Sequence, residues 1–156
     1  MMSSGSDDET SEPKIANWYY LKRKDRMTIR KDYAVCHSIA HLKGAYPSAS
    51  MSIWIQGSAG LNEVMLCSLG CDFLSSTVGE LSLLVQFDHE NPVPFQFRPA
   101  DDGNKNTIFI IDANRFIQRL KTAQKITINA HYSKGVTHHA NFKVKGLIWD
   151  SGTMKW

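Results

Sequence analysis

The fold is decided by Thr107-Ile-Phe-Ile-Ile-Asp112, Ala113-Asn-Arg-Phe-Ile-Gln-Arg-Leu-Lys-Thr-Ala123, Lys125-Ile-Thr-Ile-Asn-Ala-His-Tyr132 and Phe142-Lys-Val-Lys-Gly-Leu-Ile-Trp149. These runs read as a strand, one short amphipathic helix and two closing strands. Asp112 suits a helix N-cap, because its carboxylate can accept from a free backbone N–H of the first turn. Ala113, Phe116, Ile117 and Leu120 then fall at i, i+3, i+4 and i+7, which puts them on one helix face. Arg115, Arg119 and Lys121 are left for solvent. After the helix, Ile126, Ile128, Ala130 and Tyr132 alternate with Thr127, Asn129 and His131. Phe142, Val144 and Ile148 likewise oppose Asn141, Lys143 and Lys145. Period-two alternation marks strands with one face on a core and the other toward water.

Upstream, short apolar runs alternate with turn-forming clusters from Trp18 onward. Met51, Ile53 and Ile55 face one way, and Ser52, Trp54 and Gln56 the other. Gly57-Ser-Ala-Gly60, Asn91-Pro92 and Asp101-Asp-Gly-Asn104 read as turns. The last lacks the acidic ladder and closing Glu of a calcium loop. The pattern predicts a mainly β domain, a β-sandwich or compact barrel-like fold of eight or nine strands with one late helix. The domain spans 17–150, between an acidic leader (1–16) and a short tail (151–156).

The chain has 156 residues and is 42% hydrophobic, enough for one domain with a real core. No run reaches the roughly 18 apolar residues of a membrane span. Residues 1–12 have neither the basic start nor the apolar core of a secretory signal. They carry Asp7, Asp8, Glu9 and Glu12 without a base, the composition of a disordered leader. The remaining residues are therefore more basic than the overall net charge of +3. The densest cations are Lys22, Arg23, Lys24 and Arg26, extended by Arg30 and Lys31. Asp25 and Asp32 interrupt them, so a solvated loop is the expected reading and a polyanion or anionic-lipid contact the alternative.

Catalytic chemistry is scarce. Cys36, Cys67 and Cys71 are odd in number and lack a second Cys or His pair for zinc. Their disulfide state stays open at this level, because Cys67 and Cys71 on one continuous strand could not reach each other. Cys36 and His37, as strand neighbours, point to opposite faces, which argues against a thiol nucleophile with its base. His138 and His139 are expected in the turn before the last strand, near His131; three imidazoles there make a weak metal site at most. No metal or cofactor is expected. Trp54, placed outward by alternation, is a candidate for a binding patch, beside the cations Lys22, Arg23, Lys24, Arg26 and Arg30.

Trp18-Tyr-Tyr20, Asp25-Arg-Met-Thr28, Tyr33-Ala34, Leu84-Val-Gln-Phe-Asp88, Phe116-Ile-x-x-Leu-Lys-x-Ala123 and Phe142-x-Val-x-Gly-Leu-x-Trp149 together resemble a family of small bacterial β-domains. Members are often lipoproteins or exported proteins carried on prophages and plasmids. The closing helix–strand–strand is also similar to an accessory protein family of type VI secretion. The match runs from 18 to 149, with departures: Gln86 stands for the family's Arg, and Ser75, Ser76 and Glu80 occupy the neighbourhood of its Cys pair. The resemblance implies a periplasmic or envelope location, with the cytoplasm as alternative. It implies a non-catalytic domain that binds another protein, as an accessory of a secretion or conjugation apparatus. The alternatives are a mobile-element inhibitor or immunity-type protein, and a nucleic-acid or anionic-surface binder through 22–31. A homodimer is a further option; nucleic acid is the disfavoured partner.

Overall fold

The computed structural model describes residues 17–24, 30–39, 50–58, 60–69, 72–73, 82–132 and 136–149; for 23, 24, 30, 131, 132 and 136–138 it describes the backbone alone. The alternating runs become nine strands: β1 (Tyr19–Lys24), β2 (Arg30–His37), β3 (Ser50–Ser58), β4 (Leu61–Leu69), β5 (Ser82–Phe87), β6 (Val93–Pro99), β7 (Thr107–Ile110), β8 (Lys125–Tyr132) and β9 (Val136–Lys143). One helix, α1 (Ala113–Thr122), lies between β7 and β8. Among the described residues the mainly β prediction with one late helix holds. The strands form one antiparallel sheet in the order β9-β8-β5-β6-β7-β4-β3-β2-β1, and it is not closed.

The sheet bends at β6. Val93–Gln96 pair with β5, whereas Phe97–Pro99 pair with β7. Pro94 is tolerated there because its backbone side away from β5 faces no strand. Its carbonyl instead accepts from Arg115 Nη2 at 3.0 Å. The bend lets both halves bury their inner faces in one cluster. It contains Ile53, Ile55 and Leu66 from one half, and Val85, Phe142 and Ile128 from the other. The far ends also meet: the Ile39 N–H donates to the Asn141 carbonyl at 2.7 Å.

Helix α1 starts as its sequence dictates, with the Asp112 carboxylate accepting from the Arg115 N–H. Ala113, Phe116, Ile117 and Leu120 are its buried residues. Phe116 packs edge-on against Phe95 and Phe87, with ring centroids 5.2 and 6.1 Å away. Arg115 and Arg119, expected to face solvent, also cover those rings. Their guanidinium carbons lie 4.1 Å from the Phe95 centroid and 4.4 Å from that of Phe87. Arg119 is held there by Glu90.

Four expectations change on this scaffold. The strand read as Thr107–Asp112 ends at Ile110, and Ile111 is exposed. Ile148 is exposed rather than inward, because β9 ends at Lys143 and a turn at Gly146 (φ 94°) resets the phase. Leu147 and Trp149 are buried in its place. His138 and His139 lie within β9, not in a turn. Lys22, Arg23, Lys24, Arg30 and Lys31 belong to paired strands rather than a solvated loop.

The β5–β6 turn is tied to the residues after α1 by Asp88, which sits at φ 53°. Its Oδ1 accepts from the N–H groups of Gln124 (2.9 Å) and Lys125 (3.1 Å). Those two bonds, and to a lesser degree the charges of His89 and Lys125, hold its carboxyl below the ordinary value of 3.8. A lowered folded pKa gives stability that is full above pH 3.8 and lost as pH falls through the folded value. Asn tolerates positive φ, so Asp88→Asn removes chiefly the charge. The gap in urea midpoint between wild type and Asp88→Asn should stay constant at neutral pH and narrow on acidification below pH 3.8. A gap independent of pH would show that the carboxylate charge contributes nothing.

Candidate functional site

Alternation places Ser52, Trp54 and Gln56 on the outer face of β3, opposite the buried Met51, Ile53 and Ile55. Register then decides what stands beside Trp54. Tyr19 pairs with Val35, Val35 with Trp54, Trp54 with Met65, Met65 with Phe109, and Phe109 with Arg98. One row therefore crosses β1, β2, β3, β4, β7 and β6, about 24 Å at ordinary strand spacing. Every member but the last is apolar or aromatic, and the Arg98 guanidinium carbon closes the row 4.4 Å from the Phe109 centroid.

The flanking rows support it. Tyr33 packs edge-on to Trp54 at 6.2 Å, and Leu21, across from Tyr33, is exposed. Glu63 accepts from Gln56 at 3.4 Å and pairs with Arg98 at 3.5 Å, so this border is neutralised. On the other side the Tyr19 ring lies 6.1 Å from that of His37. Trp54 itself is half-buried, and its Nε1–H donates to Ser52 Oγ at 3.0 Å. A ring whose polar group is satisfied within its own strand can be covered by a partner without losing that hydrogen bond. Sequence reading found Trp54 but missed Tyr19, Tyr33, Met65, Phe109 and Arg98. The alternation of Ile108 and Ile110 with Phe109 was a usable signal; the pairing of β4 with β7 was not.

The other sequence candidates do not converge. Cys36 is buried, and its thiol donates to the Lys143 carbonyl at 3.3 Å. Burial pushes that thiol up to about 12, so it stays protonated, while His37 sits exposed. Cys67 lies on the outer face, opposite Ser52 and Thr107. Burial raises its thiol too, against a smaller opposing effect of the Thr107 hydroxyl, which donates to it at 3.7 Å. Cys36 and Cys67 are free thiols on opposite faces of the sheet. Cys71 and Arg26 fall outside the described residues. In the β8–β9 ladder His139 stands opposite Asn129 and is exposed; His138 lies opposite Ala130 and His131 opposite Thr137. Among the described residues no three His, Cys, Asp or Glu side chains gather as metal ligands would.

Two shallow clefts flank α1. One, about 360 Å³, is lined by Ser82, Pro94, Gln96, Ile111, Asp112 and Arg115. Its only ionic groups, Asp112 and Arg115, already pair with each other at 3.1 Å. The other, about 260 Å³, is bordered by Asn62, Asn114, Gln118 and Lys121. The Asn62 amide spans it, donating to Asn114 and accepting from Trp149 Nε1. The first lining holds both Ser82 and Asp112, the latter engaged by Arg115. No helix of the described chain is long and apolar enough to cross a membrane. No family model, curated protein or solved structure matches the chain.

Proposed function

We propose that this chain is a non-catalytic protein-binding domain of the bacterial cell envelope, and that the outer face centred on Trp54 is where its partner docks. The observation that carries the reading is the row Tyr19–Val35–Trp54–Met65–Phe109–Arg98. Aromatic residues, Met and Arg are the side chains enriched in interface cores, and here they stand on five of the six strands of the row, with the buried Val35 between Tyr19 and Trp54. The outer face of the other half-sheet is different: Thr127, Asn129, Gln86 and His139 occupy it, with Leu84 and Pro94 as exposed apolar residues. Placement at the envelope, as an accessory of a secretion or conjugation apparatus, is supported by the resemblance of residues 18–149.

The expected occupant is an apolar or aromatic surface of that apparatus. A photo-crosslinking residue at Met65, compared in cells with the same residue at Leu84, tests this. Met65 should yield one discrete crosslinked product from the envelope fraction, absent from Leu84, and Trp54→Ala should reduce its yield by tenfold or more, as truncation of a central anchor does. Equal yields from both positions would remove the Trp54 face as the docking surface. A product found only in the cytoplasmic fraction would favour the inhibitor or immunity reading.

A further inference from the structure

We infer that the cleft between α1 and the start of β4 binds a small hydroxylated carboxylate, the chemistry of a sugar acid. The starting observation is an inversion of the strand pattern. Asn62 shares the phase of the buried Val64 and Leu66, on the inner side of the sheet, while Leu61 on the outward phase is 74% exposed. A polar residue in core phase beside an exposed leucine works against folding, and such breaks in pattern are expected where a site is built. Being on the inner side, the cleft is separate from the Trp54 face.

Hydrogen bonding fixes what Asn62 and its neighbour present. The Trp149 indole can only donate, and its Nε1–H meets Asn62 Oδ1 at 3.1 Å. The Asn62 amide nitrogen is therefore the group that donates to Asn114 Oδ1, at 2.8 Å. With that oxygen engaged, Asn114 keeps its own NH2 for a ligand. Trp149 is buried, so the relay is anchored in the core. Asn114, Gln118 and Lys121 follow at i, i+4 and i+7 of α1, along one helix face. Together with Asn62, Gly60 and Ile117 they enclose about 260 Å³, which suits one sugar ring rather than a larger ligand. Among the described residues no carboxylate lines this cleft, and Lys121 forms no ion pair. Each group then selects a part of the ligand. The Lys121 ammonium takes a single negative charge, which a carboxylate supplies and a phosphate exceeds. The Gln118 and Asn114 amides pair with hydroxyls, which both donate and accept. A simple acid would leave those amides unpaired, and a neutral sugar would leave the charge unmatched.

The test is two-dimensional NMR of the isotope-labelled full chain titrated with sodium glucuronate, with ionic strength held constant by sodium chloride. The side-chain NH2 signals of Asn62, Asn114 and Gln118 should move saturably, with the millimolar affinity typical of so small a ligand. Glucose and acetate should each bind roughly fivefold more weakly or worse, because each supplies half of the complement. Lys121 is half-exposed and outside the core, so Lys121→Gln should fold, which backbone signals away from the cleft report. That variant should weaken glucuronate by about the same factor and leave glucose unchanged. An unaltered glucuronate affinity in Lys121→Gln, or no saturable movement in wild type, would overturn the site. Equal binding of glucuronate and acetate would overturn the sugar acid in favour of a bare carboxylate contact. Tighter binding of glycerophosphate would overturn the carboxylate. Trp54→Ala should leave the titration as it is, so failure here leaves the Trp54 crosslinking result standing.

Discussion

Phe116→Ala should lower the stability of this domain by about 3–5 kcal/mol, the range for truncating a buried aromatic. Phe116 is fully buried and is the point where α1 enters the sheet. Its ring meets Phe95 at 5.2 Å and 89°, and Phe87 at 6.1 Å and 63°. Phe95 and Phe87 in turn contact each other at 6.0 Å. Removing one member of a closed triad leaves a cavity bounded by two rings that their own strands hold in place. Collapse into that cavity is restricted, which puts the loss at the high end of its range. Arg115 and Arg119 would also lose part of the surface they cover. For a domain of this size the melting temperature should fall by roughly 10 °C. Phe116→Leu, which keeps most of the volume, should lose far less. Equal losses for Leu and Ala would show that edge-on ring packing, not volume, sets the stability here.

Trp18→Ala should follow closely, at about 3–5 kcal/mol, for a different reason. Trp18 is 4% exposed, and its Nε1–H donates to the Val144 carbonyl at 2.8 Å, across 126 residues of sequence. Two neighbouring bonds strengthen this latch. Asn17 Nδ2 donates to the Lys145 carbonyl at 3.0 Å, and the Ile148 N–H donates to the Tyr20 hydroxyl at 2.9 Å. The first residues before β1 thereby hold the segment that follows β9. Trp18→Phe separates packing from hydrogen bonding: it keeps an apolar ring but leaves a buried carbonyl without its donor, a loss of about 1–3 kcal/mol. Denaturant midpoints of the two variants measure the partition, and hydrogen exchange shows where the loss falls. Faster exchange should concentrate at 144–149 in both variants. Uniform acceleration across the sheet would mean that Trp18 is an ordinary core residue and no latch.

These two positions differ in how far sequence exposes them. Phe116 is legible, because Asp112 caps the helix and Ala113, Phe116, Ile117 and Leu120 keep a helical period. Trp18 shows only that it is large and apolar; nothing local says that its indole reaches Val144. Ile148 marks a further boundary. Its alternation with Lys145 continues that of β9, yet Gly146 at φ 94° breaks the pleat and turns Ile148 outward. His138 and His139 were misplaced because polar residues near a glycine resemble a turn, while the ladder with β8 carries them into β9.

The candidate site divides in the same way. Sequence by itself determined which side of its own strand each residue takes, because the pleat alternates every residue whatever lies next door. That is enough to put Trp54 outward, Cys36 and His37 on opposite faces, and one helix before two strands. Only the tertiary structure decided which strands are neighbours. β4 pairs with β7 rather than β5, and β6 changes partner halfway along, so Met65 meets Phe109 and Phe109 meets Arg98. Strand order is set by burying both half-sheets against one core, a property of the whole chain. For that reason a lone outward tryptophan became a row across six strands only in three dimensions.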